Sequence, residues 1–175
     1  LVGSVRCISD SASVGPYEIS LLSDLGGTPL DVGVIVGQFD AVSAIHGNSG
    51  IGVSMVTQSA LSALRMASSD TSAMVADELI KHRHDMDFVR QVINDESKIP
   101  LVMDTIESAI VSLGARVVDD LADFRHVNRV YIVGGGAPLI ETAVQAAWQH
   151  LGPKVVMMSS PQTALVEAIA VFKGE

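Results

Sequence analysis

Cys7 is the only cysteine in the 175-residue chain, so one copy cannot close an internal disulfide or build a cysteine-based zinc site. A reducing cytoplasm fits that usage. Basic residues are scarce as well: 11 Lys and Arg stand against 20 Asp and Glu, for a formal charge of −9. Broad contact with a nucleic-acid backbone relies on clustered cations that neutralise phosphates. Direct nucleic-acid binding is therefore not expected, and any role on DNA is indirect. No apolar run approaches the ~20 residues that cross a bilayer as a helix, and the N-terminus lacks the basic start and apolar stretch of a signal peptide. The expectation is a soluble, cytoplasmic protein with no membrane partner. No G-x-S-x-G elbow accompanies the five histidines, which argues against a hydrolase triad.

What is present is the composition of a folded domain. Apolar residues make up 48% of the chain and charged residues 18%, which separates it from disordered sequences. The length suits one domain or one lobe of a larger protein. The opening, "LVGSVRCISDSASVGPYE", is mixed and turn-rich and runs straight into a strand, as if the chain had been entered midway; a fragment is expected.

Residues 18–23, 30–36 and 41–46 are short, rich in Val, Ile and Leu, and separated by glycine-containing turns, which reads as three consecutive antiparallel strands. "GNSGIG" (47–52) then leads into a helix with Val53, Val56, Ala60 and Leu64 on one face. Residues 68–100 are the most polar part, with "KHRHDMD" and "INDESK" on helix surfaces and connections. From Pro100 a long helix carries the stripe Ile106, Ile110, Leu113, Val117 and Leu121. "RVYIV" (129–133) reads as a buried strand, and residues 138–149 as a helix with Leu139, Ala143, Ala147 and Ile140, Val144, Trp148 inward. "KVVMMS" is a further strand, and residues 162–173 make a last helix with Phe172 in its stripe. The seven methionines are expected mostly to fill gaps in the core. The whole is a mixed α/β sheet with helices packed on it, interrupted by a polar insertion.

Two glycine turns bear on function. Asp24 stands at the end of the first strand, and the Gly26 and Gly27 that follow can adopt conformations closed to other residues without a side chain in the way. Free N–H groups in such a turn make an anion site, and a neighbouring carboxylate can hold Mg²⁺ through water. On the residues alone the loop reads equally as a cradle of that kind or as a plain hairpin turn. Gly134, Gly135 and Gly136 lie between a buried strand and a helix starting at Pro138, where N–H groups and a helix N-terminus face an anion or a flat ligand. The dinucleotide fingerprint is absent, since its third glycine would fall at Leu139, and no Walker A Gly-Lys-Ser/Thr follows. His82, His84, Asp85 and Asp87 do not make a helical metal site, because histidines two apart do not share a face; they read as a solvated surface.

"DLGGTPLDVGVI" resembles the second phosphate loop of the actin-like ATPases, "GNSGIG" the glycine turn that follows it, and "YIVGGGAPLI" their adenosine motif. Within that superfamily, "GNSGIGVSMVT", "VADELIKHRHD" and "INDESKI" are similar to stretches of the ParM (StbA) plasmid-segregation group. The likeness runs from about Ile19 to the C-terminus. It implies the C-terminal lobe of an actin-like, ribonuclease H-like fold: a mixed five-stranded sheet with flanking helices and an inserted smaller helical subdomain. Residues 18–46 and 101–175 would form the inner subdomain, residues 47–100 the outer one, and residues 1–17 an irregular opening segment or remnant of the preceding lobe.

The resemblance further implies ATP or ADP with Mg²⁺ in a cleft, self-association into filaments, and a DNA-bound ParR-like adaptor. Carried over by position, Asp24 would act on the metal, through water, and on the hydrolytic water. Gly26, Gly27 and Thr28 would meet the phosphates; Gly134, Gly135, Gly136 and Ala137 the ribose and adenine; Gly47, Gly50 and Gly52 would line the cleft; and Asn94 and Lys98 would touch base or ribose. Pro29 departs from the family's second threonine, and Ser23 from an apolar residue. Nothing resembles the first phosphate loop or the acidic residue of the other lobe, so this chain alone carries half of an ATPase site. Two other readings of the same resemblance are a non-polymerising ATPase domain of the chaperone or reactivating-factor type, and an interaction module that has lost ATP.

Overall fold

The computed structural model describes residues 14–37 and 41–158. Within them run strands β1 (Ile19–Leu25), β2 (Leu30–Val36), β3 (Ala41–Asn48), β4 (Arg129–Val133) and β5 (Val155–Met157). The helices are α1 (Ser54–Met66), α2 (Ala73–Lys81), α3 (Met86–Val92), α4 (Ile99–Asp120) and α5 (Ala137–Ala147). Two compact units divide the chain: one runs to Gly52 and resumes at Gly114, and the other spans Val53–Leu113.

The first unit is built on a five-stranded mixed sheet in the order β3-β2-β1-β4-β5. β1, β2 and β3 form the expected antiparallel meander, while β4 lies parallel to β1 and β5 parallel to β4. Parallel neighbours need a crossover, and α5 supplies it between β4 and β5. The two middle strands are buried on both faces: Leu21, Leu22 and Leu25 of β1 and Val130 through Val133 of β4 are at most 1% exposed. That double burial suits the nearly unbroken apolar run of β4, whereas β1 buries Ser20 and Ser23 among its leucines. α5 turns Ile140, Val144 and the following Trp148 into the core, with Leu139, Ala143 and Ala147 less buried beside them. The Arg125 guanidinium lies 5.5 Å from the centre of the Trp148 ring, within cation–π range. A Cβ on Gly114 would stand 2.7 Å from Ala143 Cβ, so the glycine lets α4 approach α5.

The second unit is helical. Val56, Ala60 and Leu64 of α1, Leu79 and Ile80 of α2, Val89 of α3 and Val102 and Ile106 of α4 make its core. Ser72, Asp85 and Asp95 cap the starts of α2, α3 and the short 3₁₀ turn Glu96–Lys98 by accepting backbone N–H bonds, as these residue types do. The Thr57 hydroxyl of α1 donates to Asp77 of α2. The stripe read along the long helix is observed: Ile106, Ile110, Leu113, Val117 and the following Leu121 are all buried.

Several details differ from expectation. β1 runs on through Asp24 and Leu25 rather than stopping at Ser23, because Asp24 is paired on both sides, with Asp31 and Val133. Met66, Met74 and Met86 are 63%, 73% and 43% exposed, and so fill no core gap. The divisions between units fall at 52/53 and 113/114, later than 46/47 and 100/101. α4 is one continuous helix across the second division, which falls at Gly114, the one glycine of that helix. The helix read at 162–173 and most of the segment 1–17 lie outside the described residues.

Candidate functional site

Three turns meet at the carboxyl ends of β1 and β4, all within the sheet unit. The first joins β1 to β2. Leu25 pairs with Leu30 and Asp24 with Asp31, which leaves residues 26–29 as the loop, closed by the Gly26 N–H donating to the Pro29 carbonyl at 3.0 Å. Gly26 is therefore held by the turn itself and is not a free donor. Gly27 and Thr28 are exposed, and their N–H groups make no backbone bond among the described residues. A Cβ on Gly27 would meet nothing within 4 Å, so the space above that backbone is open. Pro29 has no N–H to offer a ligand, but its carbonyl is what fixes the tip.

The second turn, residues 47–52, folds back onto this tip. Asn48 Oδ1 accepts the Gly50 N–H at 2.9 Å, an Asx turn. Gly52 is buried, and a Cβ there would lie 2.6 Å from the Gly27 carbonyl oxygen and 2.7 Å from Thr28 Cα. Only glycine permits that approach. Gly47 sits opposite Asp31 in the β2–β3 register, against its carboxylate.

The third turn follows β4. Val133 is in register with Asp24, so Gly134 arrives directly beside the Asp24 side chain. Gly134 has φ +98°, and a Cβ on it would strike the Leu25 carbonyl and stand 2.5 Å from Asp24 Oδ1. The Gly136 N–H donates to the Leu25 carbonyl at 3.0 Å, and the Ala137 N–H to the Gly134 carbonyl at 3.1 Å. Ala137 is buried behind the turn. Gly135 is exposed, and a Cβ added to it would meet nothing within 4 Å. α5 then begins with Gly136 at its cap, no side-chain cap bond, and Pro138 in its first turn, where a missing N–H costs nothing. Its uncapped N-terminus adds a positive dipole end to this side of the sheet.

Asp24 sits among these turns, half-buried. No donor among the described residues bonds its carboxylate. Burial pushes its carboxyl above the ordinary aspartate range, and the negative charge of Asp31 across the hairpin pushes in the same direction. A cation beside the pair would relieve both effects. Mg²⁺ is commonly held by one or two carboxylates, several waters and substrate phosphates rather than by an all-protein cage. The donor set fits that mode: among the described residues no group of three or more His, Cys, Asp or Glu could hold a metal by itself.

The fold thus brings together Asp24, Gly26, Gly27, Thr28, Gly47, Gly50, Gly52, Gly134, Gly135, Gly136 and Ala137. Asn94 and Lys98 belong to the helical unit. There the Asn94 N–H donates to Ser69 Oγ at 2.9 Å and its side-chain amide reaches the Ser68 carbonyl at 3.4 Å, so its polar groups serve the local turn. His82 lies against Glu78 and the Phe88 ring, and the side chain of His84 is exposed. The sequence reading does not single out Asp31, although a loop of residues 26–29 forces it opposite Asp24. Among the described residues no helix is long and apolar enough to cross a membrane.

The model of plasmid segregation protein ParM, C-terminal, matches residues 14–172. A search of curated sequences finds no match. Among solved structures, a non-polymerisable quadruple mutant of pCBH ParM is similar over 99% of this chain and 52% of its own, at 13% identity and a TM-score of 0.73. A 15-stranded ParM filament from Clostridium botulinum is similar over 99% of this chain and 51% of its own, at 12% identity and a TM-score of 0.67. The archaeal actin homolog Ta0583, in a complex with ADP, is similar over 99% of this chain and 56% of its own, at 17% identity and a TM-score of 0.69. The chain therefore spans about half the length of these proteins. At such identities the structural likeness establishes the actin-like fold, and the family match establishes the lineage: the chain belongs to the ParM plasmid-segregation family, matching its C-terminal part.

Proposed function

We propose that this chain is the C-terminal lobe of an ATP-dependent, actin-like filament protein that segregates plasmid DNA through a DNA-bound adaptor. The observation that carries the nucleotide reading is Asp24: a half-buried carboxylate with no donor among the described residues, raised in pKa, at the meeting point of three glycine turns. Structural ion pairs satisfy their carboxylates; a carboxylate left unsatisfied in this way suits a catalytic or metal-binding role.

Each part has a task under this reading. The N–H groups of Gly27 and Thr28, which make no backbone bond among the described residues, bind phosphate oxygens, and Gly26 holds the tip rigid through Pro29. The open backbone at Gly135 gives a flat face for ribose and adenine, and Gly134 allows that face to reach Asp24. Asp24 would hold Mg²⁺ through water and position the hydrolytic water, and Asp31, opposite it in the hairpin, would add negative charge beside it. Bound Mg²⁺ would supply neutralisation of the phosphate charge that builds during transfer. A cation beside Asp24 would oppose the upward push that burial and Asp31 exert on its carboxyl.

Filament formation is supported by the ParM family match, and a ParM filament is among the structures that share the fold. The net charge of −9 fits contact with DNA through an adaptor rather than directly. Sedimentation of the full-length protein with and without MgATP tests the proposal, with ATP hydrolysis measured in the same samples. MgATP-dependent pelleting with turnover is expected. Turnover without polymer under any nucleotide would indicate the non-polymerising ATPase, and no ATP binding at all would indicate the interaction module.

A further inference from the structure

We propose that Asp120 is a positioning residue of the phosphate-binding loop, acting through Asn48 and the turn it heads. This rests on the nucleotide reading above. Asp120 is the last residue of α4, and its side chain is only 14% exposed. Both of its oxygens are engaged on β3: Oδ2 lies 2.8 Å from His46 Nε2, and Oδ1 accepts the Asn48 side-chain N–H at 2.7 Å.

The second of these bonds decides which way the Asn48 amide faces. With its NH₂ on the carboxylate, Asn48 Oδ1 points to the Gly50 N–H, 2.9 Å away. The flipped amide would set its oxygen against the Asp120 oxygen, acceptor to acceptor, and turn an NH₂ toward the Gly50 N–H, donor to donor. Asp120 thus fixes the only orientation in which Asn48 closes the turn. The Asn48 carbonyl adds a bond from the Ile51 N–H at 3.4 Å. Gly52, at the end of the same turn, rests on the Gly27 carbonyl and Thr28 Cα, in the loop whose Gly27 and Thr28 N–H groups are assigned to phosphate. The chain of cause runs from a carboxylate at the end of a helix to the backbone under the phosphates. His46 shares the carboxylate but belongs to another arm, toward the Phe124 ring at 6.4 Å.

A structural role and a positioning role make different predictions. Loss of structure weakens every ligand, whereas loss of loop position weakens only ligands that carry phosphates. The test uses the full-length protein, with MgATP affinity measured directly and adenosine affinity by competition. Asp120→Ala should weaken MgATP about tenfold, the scale of one lost charge-assisted contact, and leave adenosine unchanged. Asp120→Asn, which keeps an acceptor for Asn48, should restore MgATP to within about threefold of wild type. His46→Ala, which leaves the Asn48 bond in place, should bind MgATP as wild type does. Wild-type MgATP affinity in Asp120→Ala, or equal weakening of adenosine and MgATP, would overturn the inference, as would failure of Asp120→Asn to rescue or an equal loss in His46→Ala. If the unmodified protein binds neither ligand, the nucleotide reading itself falls and this inference with it.

Discussion

β1 and β4 run side by side in the same direction, and their two ends treat acidic side chains in opposite ways. At the amino ends Glu18 is satisfied: its carboxylate accepts Lys154 Nζ at 2.9 Å, Arg129 at 3.4 Å and the Gly15 N–H at 3.3 Å. The Lys154 hydrogen bond, with further help from Gly15 and the Arg129 charge, holds its carboxyl below the ordinary range. Asn128 and Ile19 lock the same end by exchanging two bonds, at 2.8 and 2.9 Å. At the carboxyl ends Asp24 has no donor among the described residues, faces glycine backbone and sits above its ordinary range. One carboxylate stabilises the fold. The other has no hydrogen-bond donor among the described residues, an arrangement that folding alone does not favour and a bound cation does. Ligands of open α/β sheets bind at the carboxyl ends of the strands, and here the electrostatics of the two ends differ in the same sense.

The strongest way to break this contrast is to close the gap at Gly134. Gly134→Val adds a side chain at φ +98° where the Leu25 carbonyl and the Asp24 carboxylate leave no room. Left-handed strain and overpacking together should cost roughly 3 kcal/mol in urea unfolding and abolish nucleotide binding. A smaller effect is expected at the other end. Glu18 has its folded pKa below the ordinary value of 4.5, so its contribution is complete above that value and is lost as pH falls through the lower, folded value. Glu18→Gln should therefore lower stability at neutral pH by about 1 kcal/mol or less, and the gap from wild type should shrink in acid-unfolding curves below pH ~4. ATP turnover should not change. The smallest effect on stability is predicted for Gly135→Ala, since open space surrounds that position. Its unfolding midpoint should match wild type while nucleotide affinity falls a fewfold, as measured by fluorescent-nucleotide titration; loss of both together would mean that Gly135 is there for packing.

Much of this contrast is legible in the sequence, and for local reasons. Gly26, Gly27 and Pro29 between two apolar runs require a hairpin, and that register puts Asp31 opposite Asp24. The triple glycine after the buried run Val130 through Val133 marks the third turn in the same way. What cannot be read depends on contacts between distant segments. Nothing near Asn48 announces that Asp120, 72 residues later, sets its amide. In α4 the division falls at the helix's one glycine, Gly114, but the apolar periodicity runs on across it, so the pattern alone does not show where one unit ends. The chemistry of Met66, Met74 and Met86 suggests an interior place, but methionine tolerates exposed helix positions as readily as irregular gaps.

The central claim is that Asp24 is present for a ligand and not for the fold, and a single substitution measured twice addresses it. In the full-length protein, Asp24→Asn removes the charge and preserves the shape. ATP hydrolysis should fall by at least ~100-fold, while the thermal midpoint without nucleotide stays level or rises, because a half-buried carboxylate with no donor among the described residues has been neutralised. Wild-type turnover in that variant, or a lowered midpoint with turnover retained, would contradict the account.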